Sequence, residues 1–97
     1  ILLRHDSKWE SDFDPIEVTT RLRLARVLIA NKNSKKALEI IEDSKDMNGS
    51  LYEVKGDAEE ELGLYAQAKL SYLTALELSQ SQSVQALLKM KLANLDN

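Results

Sequence analysis

The chain has 97 residues with three Gly, one Pro, one His and no Cys, which leaves room for one domain of two small layers and excludes multi-domain readings. Without cysteine, disulfides, cysteine-based zinc sites and thiol catalysis are all excluded, while the compartment stays open. Thirteen Lys and Arg against sixteen Asp and Glu give a net charge of −3, too acidic and too evenly mixed for a phosphate backbone, so no nucleic-acid partner is expected.

Seventeen Leu and nine Ala outnumber the twelve β-branched residues. Straight-chain and small residues lose least freedom on entering a helix, so the composition predicts an all-α chain. No apolar run approaches the roughly 18 to 20 residues that span a bilayer, and no basic-then-apolar leader is visible, so a soluble segment is expected. The sequence starts at Ile1 rather than Met, and the expectation is a longer parent whose anchor or signal, if it has one, lies upstream.

Residues 1–14 read as the truncated end of an upstream helix followed by a loop, and residues 15–97 as the folded domain. The opening segment is apolar at Ile1, Leu2 and Leu3 and then polar around Trp9. At Asp14-Pro15-Ile16-Glu17 a helix begins, with Asp14 as N-cap, Pro15 at the first helical position and Glu17 at the capping-box position. The helix runs to about Ala30, with Leu24, Val27 and Leu28 on its inward side and Leu22, Ala25 and Ile29 flanking them.

Asn31-Lys32-Asn33-Ser34 breaks the pattern, and Ser34 is the expected N-cap of a second helix carrying Ala37, Leu38, Ile40 and Ile41 to about Ser44. Asp46-Met47-Asn48-Gly49 is a turn signal, after which Ser50 and Glu53 suggest a capping box for a third helix with core residues Leu51, Val54, Ala58 and Leu62. Gly63 stands where a helix end wants a left-handed residue. Tyr65 to Leu78 predicts a fourth helix with Ala68, Tyr72, Ala75 and Leu76 inward. A final helix over about 84–95 presents Leu87, Leu88, Leu92 and Leu95, with Met90 flanking and Lys89 and Lys91 on its wetter side.

The helices form two pairs, 15–45 and 50–79. Setting Ala37 against Ala68 gives a period of 31 residues, at which Ala25 meets Gly56, Ile41 meets Tyr72 and Ser44 meets Ala75. Small residues recur where helices approach closely and larger ones a turn away. The second unit, with Gly56-Asp57-Ala58, Gly63, Tyr65, Ala68, Tyr72, Ala75 and Leu76, resembles the tetratricopeptide repeat. The first keeps Leu24-Ala25, Leu28 and Ala37, but has Arg21 where the family prefers an aromatic and Lys32 where it prefers Gly. Its repeat is also shorter than the usual one. The resemblance implies a right-handed array of antiparallel helix pairs closed by a C-terminal capping helix.

A narrower resemblance rests on Leu22-Arg23-Leu24-Ala25-Arg26-Val27, Val54-Lys55-Gly56-Asp57-Ala58 and Met90-Lys91-Leu92-Ala93-Asn94-Leu95 taken in order. Over about Thr20 to Leu95 the chain is similar to the C-terminal part of the YfgM-like ancillary subunits of the bacterial SecYEG translocon. The Ser11 to Pro15 stretch departs from that pattern as an insertion or local variation. The resemblance implies a domain facing the periplasm, anchored to the inner membrane by a helix absent from this sequence. Its implied partners are translocon subunits and a periplasmic chaperone.

No catalytic constellation, metal site or cofactor motif is expected. His5 is the sole imidazole, beside Asp6, and reads as solvated because a site needs several converging groups. Glu53, Asp57 and the run Glu59-Glu60-Glu61 make the third helix acidic. The plain reading is a solvated face. The sharper one is a recognition wall in which Arg26, Glu53, Asp57, Glu60 and Glu61 line a partner-binding groove suited to a basic or amphipathic segment.

A clamp for a partner's C-terminal carboxylate is not expected, since the equivalent positions offer Leu22, Arg26, Glu53 and Asp57. Arg21, Arg23 and Arg26 read as ordinary ion-pair partners, and Tyr52, Tyr65 and Tyr72 as packing residues with wet hydroxyls. The apolar start of the chain with Trp9 and Phe13 is a candidate surface for self-association. The functional expectation is a non-catalytic interaction scaffold. Two alternatives stand beside it: a generic cytoplasmic tetratricopeptide adaptor unrelated to secretion, and a small hydrolase using a closed pocket around Glu53 and Asp57.

Overall fold

A computed structural model describes residues 15–96. Five helices follow in order: α1 (Pro15–Ala30), α2 (Ser34–Glu42), α3 (Gly49–Glu61), α4 (Tyr65–Leu78) and α5 (Gln82–Leu95), with no strand among the described residues. The readings placed on residues 1–14, namely the truncated helix, solvated His5, apolar Trp9 and Phe13, and the Asp14 cap, lie outside the described residues. Helix α1 packs on α2 and α3 on α4, while α3 also meets α1 and α2, and α5 lies against α4. The result is two helix pairs in series with one further helix behind them.

The turns within the two pairs are copies of each other. In the first, the N–H of Asn33 donates to the Leu28 carbonyl at 2.7 Å and that of Lys32 to Ile29 at 3.0 Å; thirty-one residues on, Leu64 donates to Glu59 at 2.8 Å and Gly63 to Glu60 at 3.0 Å. Both are Schellman closures, which require a left-handed residue just past the helix end. Lys32 has φ 62° and Gly63 φ 81°. The 31-residue period is therefore written in the backbone as well as in the side chains, although only the second turn uses the residue that adopts this conformation without steric penalty.

Three helix starts differ from expectation. Ser34 is the first residue of α2 rather than its cap: Asn33 precedes the helix, and the buried Ser34 hydroxyl turns away to donate to Glu61. Helix α3 starts at Gly49 because extended Asn48, not Ser50, accepts the Leu51 N–H on its Oδ1 at 2.9 Å. Helix α5 starts at Gln82, ahead of the expected position, because Ser81 caps it by accepting the Val84 N–H at 3.3 Å. At its other end α2 stops at Glu42, short of Ser44.

Two cores result. The first gathers Ala25, Ala37, Ile41, Leu51, Val54 and Ala58, with Val18, Leu22, Leu28, Ile29, Leu38 and Met47 packed around them. The second gathers Ala68, Tyr72, Ala75 and Leu88, with Tyr52, Leu76, Leu92 and Leu95. Helix α1 is rotated from the expected orientation. Its inward line is Val18, Leu22, Ala25 and Ile29, at a spacing of four, three and four, while Leu24 and Val27 are 45% and 55% exposed. Small Ala25 is fully buried, and centring the packed stripe there turns larger neighbours outward. Leu62 and Leu87, expected inside, are also exposed. Leu62 has left the helix as its C-cap residue, and Leu87 lies one residue off the buried Leu88.

Candidate partner-binding site

The carboxylates of α3 do not stand in solvent as a free acidic face. Glu53, Asp57 and Glu60 recur at helical spacing on one side of α3, and α5 brings Lys91 to that side. The Lys91 ammonium lies 2.9 Å from Glu53 Oε2 and 2.9 Å and 3.1 Å from the two Asp57 oxygens, so its three protons are all used. From α4, the hydroxyl of fully buried Tyr72 lies 2.6 Å from Asp57 Oδ1 and 3.0 Å from Glu60 Oε1. A phenol has one proton to give, and the shorter contact marks Asp57 as its main acceptor.

Burial, with the Asp57 hydrogen bond second, pushes the Tyr72 hydroxyl well above the usual tyrosine range. For Lys91, burial acts to lower the ammonium, but hydrogen bonds to Asp57 and Glu53 outweigh it and hold it above the ordinary lysine value. Lys91 also stands 5.7 Å from the centre of the Tyr72 ring, within cation–π reach.

The remaining acidic residues are engaged too. Glu59 is 4% exposed, accepting from Ser71 Oγ at 2.6 Å and from Lys55 Nζ at 3.2 Å. Glu61 faces the first pair, where it accepts from the Ser34 hydroxyl and from Lys32 at 3.0 Å. The Ser34 bond, with Lys32 second, lowers its pKa below the ordinary carboxylate value. Arg21, in the position where an aromatic would be usual, pairs with Glu17 at 2.9 Å and donates to the Ile40 carbonyl at 2.8 Å, tying α1 to α2.

Beside this network an open cavity of about 460 Å³ is walled by Arg26 of α1, Asn48, Gly49, Ser50 and Glu53 at the start of α3, Ala75, Leu78 and Ser79 at the end of α4, and Val84 and Leu87 of α5. Of the five residues expected to line a groove, Arg26 and Glu53 reach this cavity. Asp57 and Glu60 belong to the Tyr72 cluster behind it, and Glu61 lies at the α2 contact. The sequence reading missed Lys91, Leu78, Val84 and Leu87. Lys91 carried a signal: it sits three residues after Leu88 and four before Leu95, inside the inward stripe of α5 rather than on its wet side.

As chemistry, the arrangement fits recognition. The ammonium of Lys91 bridges Glu53 and Asp57, so the hydrolase geometry, with two carboxylates sharing a closed pocket as acid and base, is not formed there. Among the described residues no three His, Cys, Asp or Glu side chains group to hold a metal ion, and no helix is long and apolar enough to cross a membrane.

No curated protein and no solved structure matches the chain at a significant level. A family model described as tetratricopeptide repeat-like domain matches residues 8–97. With duplicated Schellman turns, small-against-large packing and two helix pairs in series, the chain belongs to the tetratricopeptide repeat-like domain family.

Proposed function

We propose that the chain is a non-catalytic protein–protein interaction scaffold of the YfgM-like kind, the distal half of a periplasmic domain that links the SecYEG translocon to periplasmic chaperones. The observation that carries the scaffold reading is the cavity shared by α1, α3, α4 and α5, open to solvent and walled by both apolar and charged side chains. Stacked helix pairs hold such a groove rigid, so little ordering on the scaffold side opposes binding. The translocon assignment rests on the ordered resemblance of the α1, α3 and α5 segments. Arg26 and Glu53 are the partner-facing charges in this reading. Asp57, Glu60 and Glu61 act from behind, by fixing the helices that form the walls.

The test is affinity capture of the full-length parent crosslinked in native membranes, beside a variant carrying Arg26→Glu and Leu87→Ser. Recovery of translocon and chaperone subunits with the unaltered protein, and their loss with the variant, is the expected result. Translocon recovery that survives in the variant would move the binding surface elsewhere. A parent without membrane attachment, recovering only cytoplasmic partners, would replace this reading with the generic adaptor.

A further inference from the structure

The acidic residues of α3 suggested a basic partner, yet the hydrogen bonds reverse the sign of the charge left over. Glu53 is held by Lys91 at 2.9 Å, whereas the exposed Arg26 forms no ion pair or side-chain hydrogen bond among the described residues. At the period-equivalent place in the second pair stands Asp57, consumed by Lys91 and Tyr72. The unspent charge on the cavity wall is therefore the guanidinium of Arg26. The part of the wall that comes from α4 and α5 is mainly apolar: Ala75, Leu78, Val84 and Leu87 beside Ser79, with Leu78 and Leu87 about half exposed at 52% and 44%.

We propose that this groove takes an internal segment of a partner protein in which a side-chain carboxylate stands next to a large apolar side chain. The carboxylate sits on Arg26, and the apolar group packs against Leu78, Val84 and Leu87. The guanidinium fork matches a carboxylate in shape as well as charge. The cavity has room for one large side chain and part of its neighbour. A lysine or arginine on the partner would meet Arg26 as a like charge and would find Glu53 already engaged.

This inference rests on the scaffold reading, and its test separates the two. Fluorescein-labelled amphipathic peptides, amidated at the C-terminus and identical except for Glu, Gln or Lys beside a Leu pair, are titrated against the 97-residue chain by anisotropy. The Glu peptide is expected to bind about fivefold more tightly than the Gln peptide, as one rim ion pair supports, and the Lys peptide most weakly. Added salt narrows the gap.

Arg26→Glu inverts the order, and Leu87→Ser weakens all three alike; both residues are exposed, and circular dichroism checks that the helices persist. A tightest-binding Lys peptide, or an order unchanged by Arg26→Glu, overturns the inference. Charge-indifferent binding that still falls in Leu87→Ser overturns it while leaving the scaffold reading in place. No binding by any peptide removes both on this face. The same peptides with a free C-terminus are titrated beside the amidated ones, and binding by those alone assigns Arg26 to a chain end and overturns the internal-segment claim.

Discussion

The two helix pairs share a period and a turn, but they solve their close packing differently. In the first, Ala25 and Ile41 meet in a wholly aliphatic core. In the second the same positions carry Gly56 and Tyr72, and the aromatic ring lies so close that a methyl on Gly56 would come within 2.5 Å of it. A larger ring demands the smaller partner, and a buried hydroxyl demands an acceptor. Asp57 is the main acceptor, with Glu60 beside it, and Lys91 from α5 then bonds Asp57 and Glu53. One exchange of Ile for Tyr at a repeat position thus recruits charges from two other helices, α3 and α5. The first pair, lacking the hydroxyl, has Arg26 at the place of Asp57 and leaves it exposed.

The contrast predicts a ranking of effects, each measurable by denaturant unfolding. In the aliphatic core, Leu51→Ala removes a fully buried side chain and is expected to cost about 2–5 kcal/mol, the range for such cavities. Gly56→Ala comes next. It gains about 0.5–1 kcal/mol of helix preference but overpacks Tyr72, at about 1–3 kcal/mol. The ring is buried and tethered at 2.6 Å, so it does not swing away, and a net loss is expected. A stabilised Gly56→Ala protein would mean the second pair is packed as loosely as any exposed helix.

The cluster should also report itself through pH. Tyr72 and Lys91 both have folded pKa values raised above their ordinary 10.0 and 10.5. For groups shifted this way the stabilisation is complete below the unfolded pKa and is lost as pH rises through the folded one. Stability is therefore expected to hold across neutral pH and to fall from about pH 10 upward. Tyr72→Phe should lower stability at neutral pH by about 1 kcal/mol, the size of one hydrogen bond, and blunt the alkaline fall. An identical alkaline profile in Tyr72→Phe would show that Tyr72 is not the titrating group and would leave the fall to Lys91 or to groups outside the cluster.

The smallest effect compares the two turns. Lys32→Gly gives the first turn the residue the second already has, relieving a left-handed lysine at the loss of an exposed ion pair to Glu61. With Lys32 84% exposed that pair contributes little. A net gain of about 0.5 kcal/mol is expected, from about 1–2 kcal/mol of backbone relief less about 0.5–1 kcal/mol of glycine entropy. A loss would show that the Lys32–Glu61 contact holds the pairs together.

Helix number, pairing and period can be read from the residues because small and large side chains recur at fixed separation and Gly63 marks a left-handed position. Helix starts are not legible in the same way, since Ser34, Asn48, Ser50 and Ser81 are all competent caps and the sequence alone does not choose among them. Ser34 lost the role because Glu61 from α3 claims its hydroxyl. Arg26 and Glu53 were placed together on a groove by repeat logic, and both line the cavity. The fate of the other carboxylates could not be read from α3 alone. It depends on a lysine 34 positions beyond Asp57 and on a tyrosine hydroxyl 15 positions away, pairings that no local periodicity encodes.

A double-mutant cycle on Lys91 and Asp57 asks whether the acidic helix is spent on its own fold or kept for a partner. Unfolding free energies are measured for Lys91→Met, Asp57→Asn and the double variant. A coupling of about 1 kcal/mol or more between the two sites is expected, as for residues sharing one hydrogen-bonded ion pair. Effects that add within about 0.3–0.5 kcal/mol, the behaviour of independent sites, would contradict it and return Asp57 to the groove as a free charge.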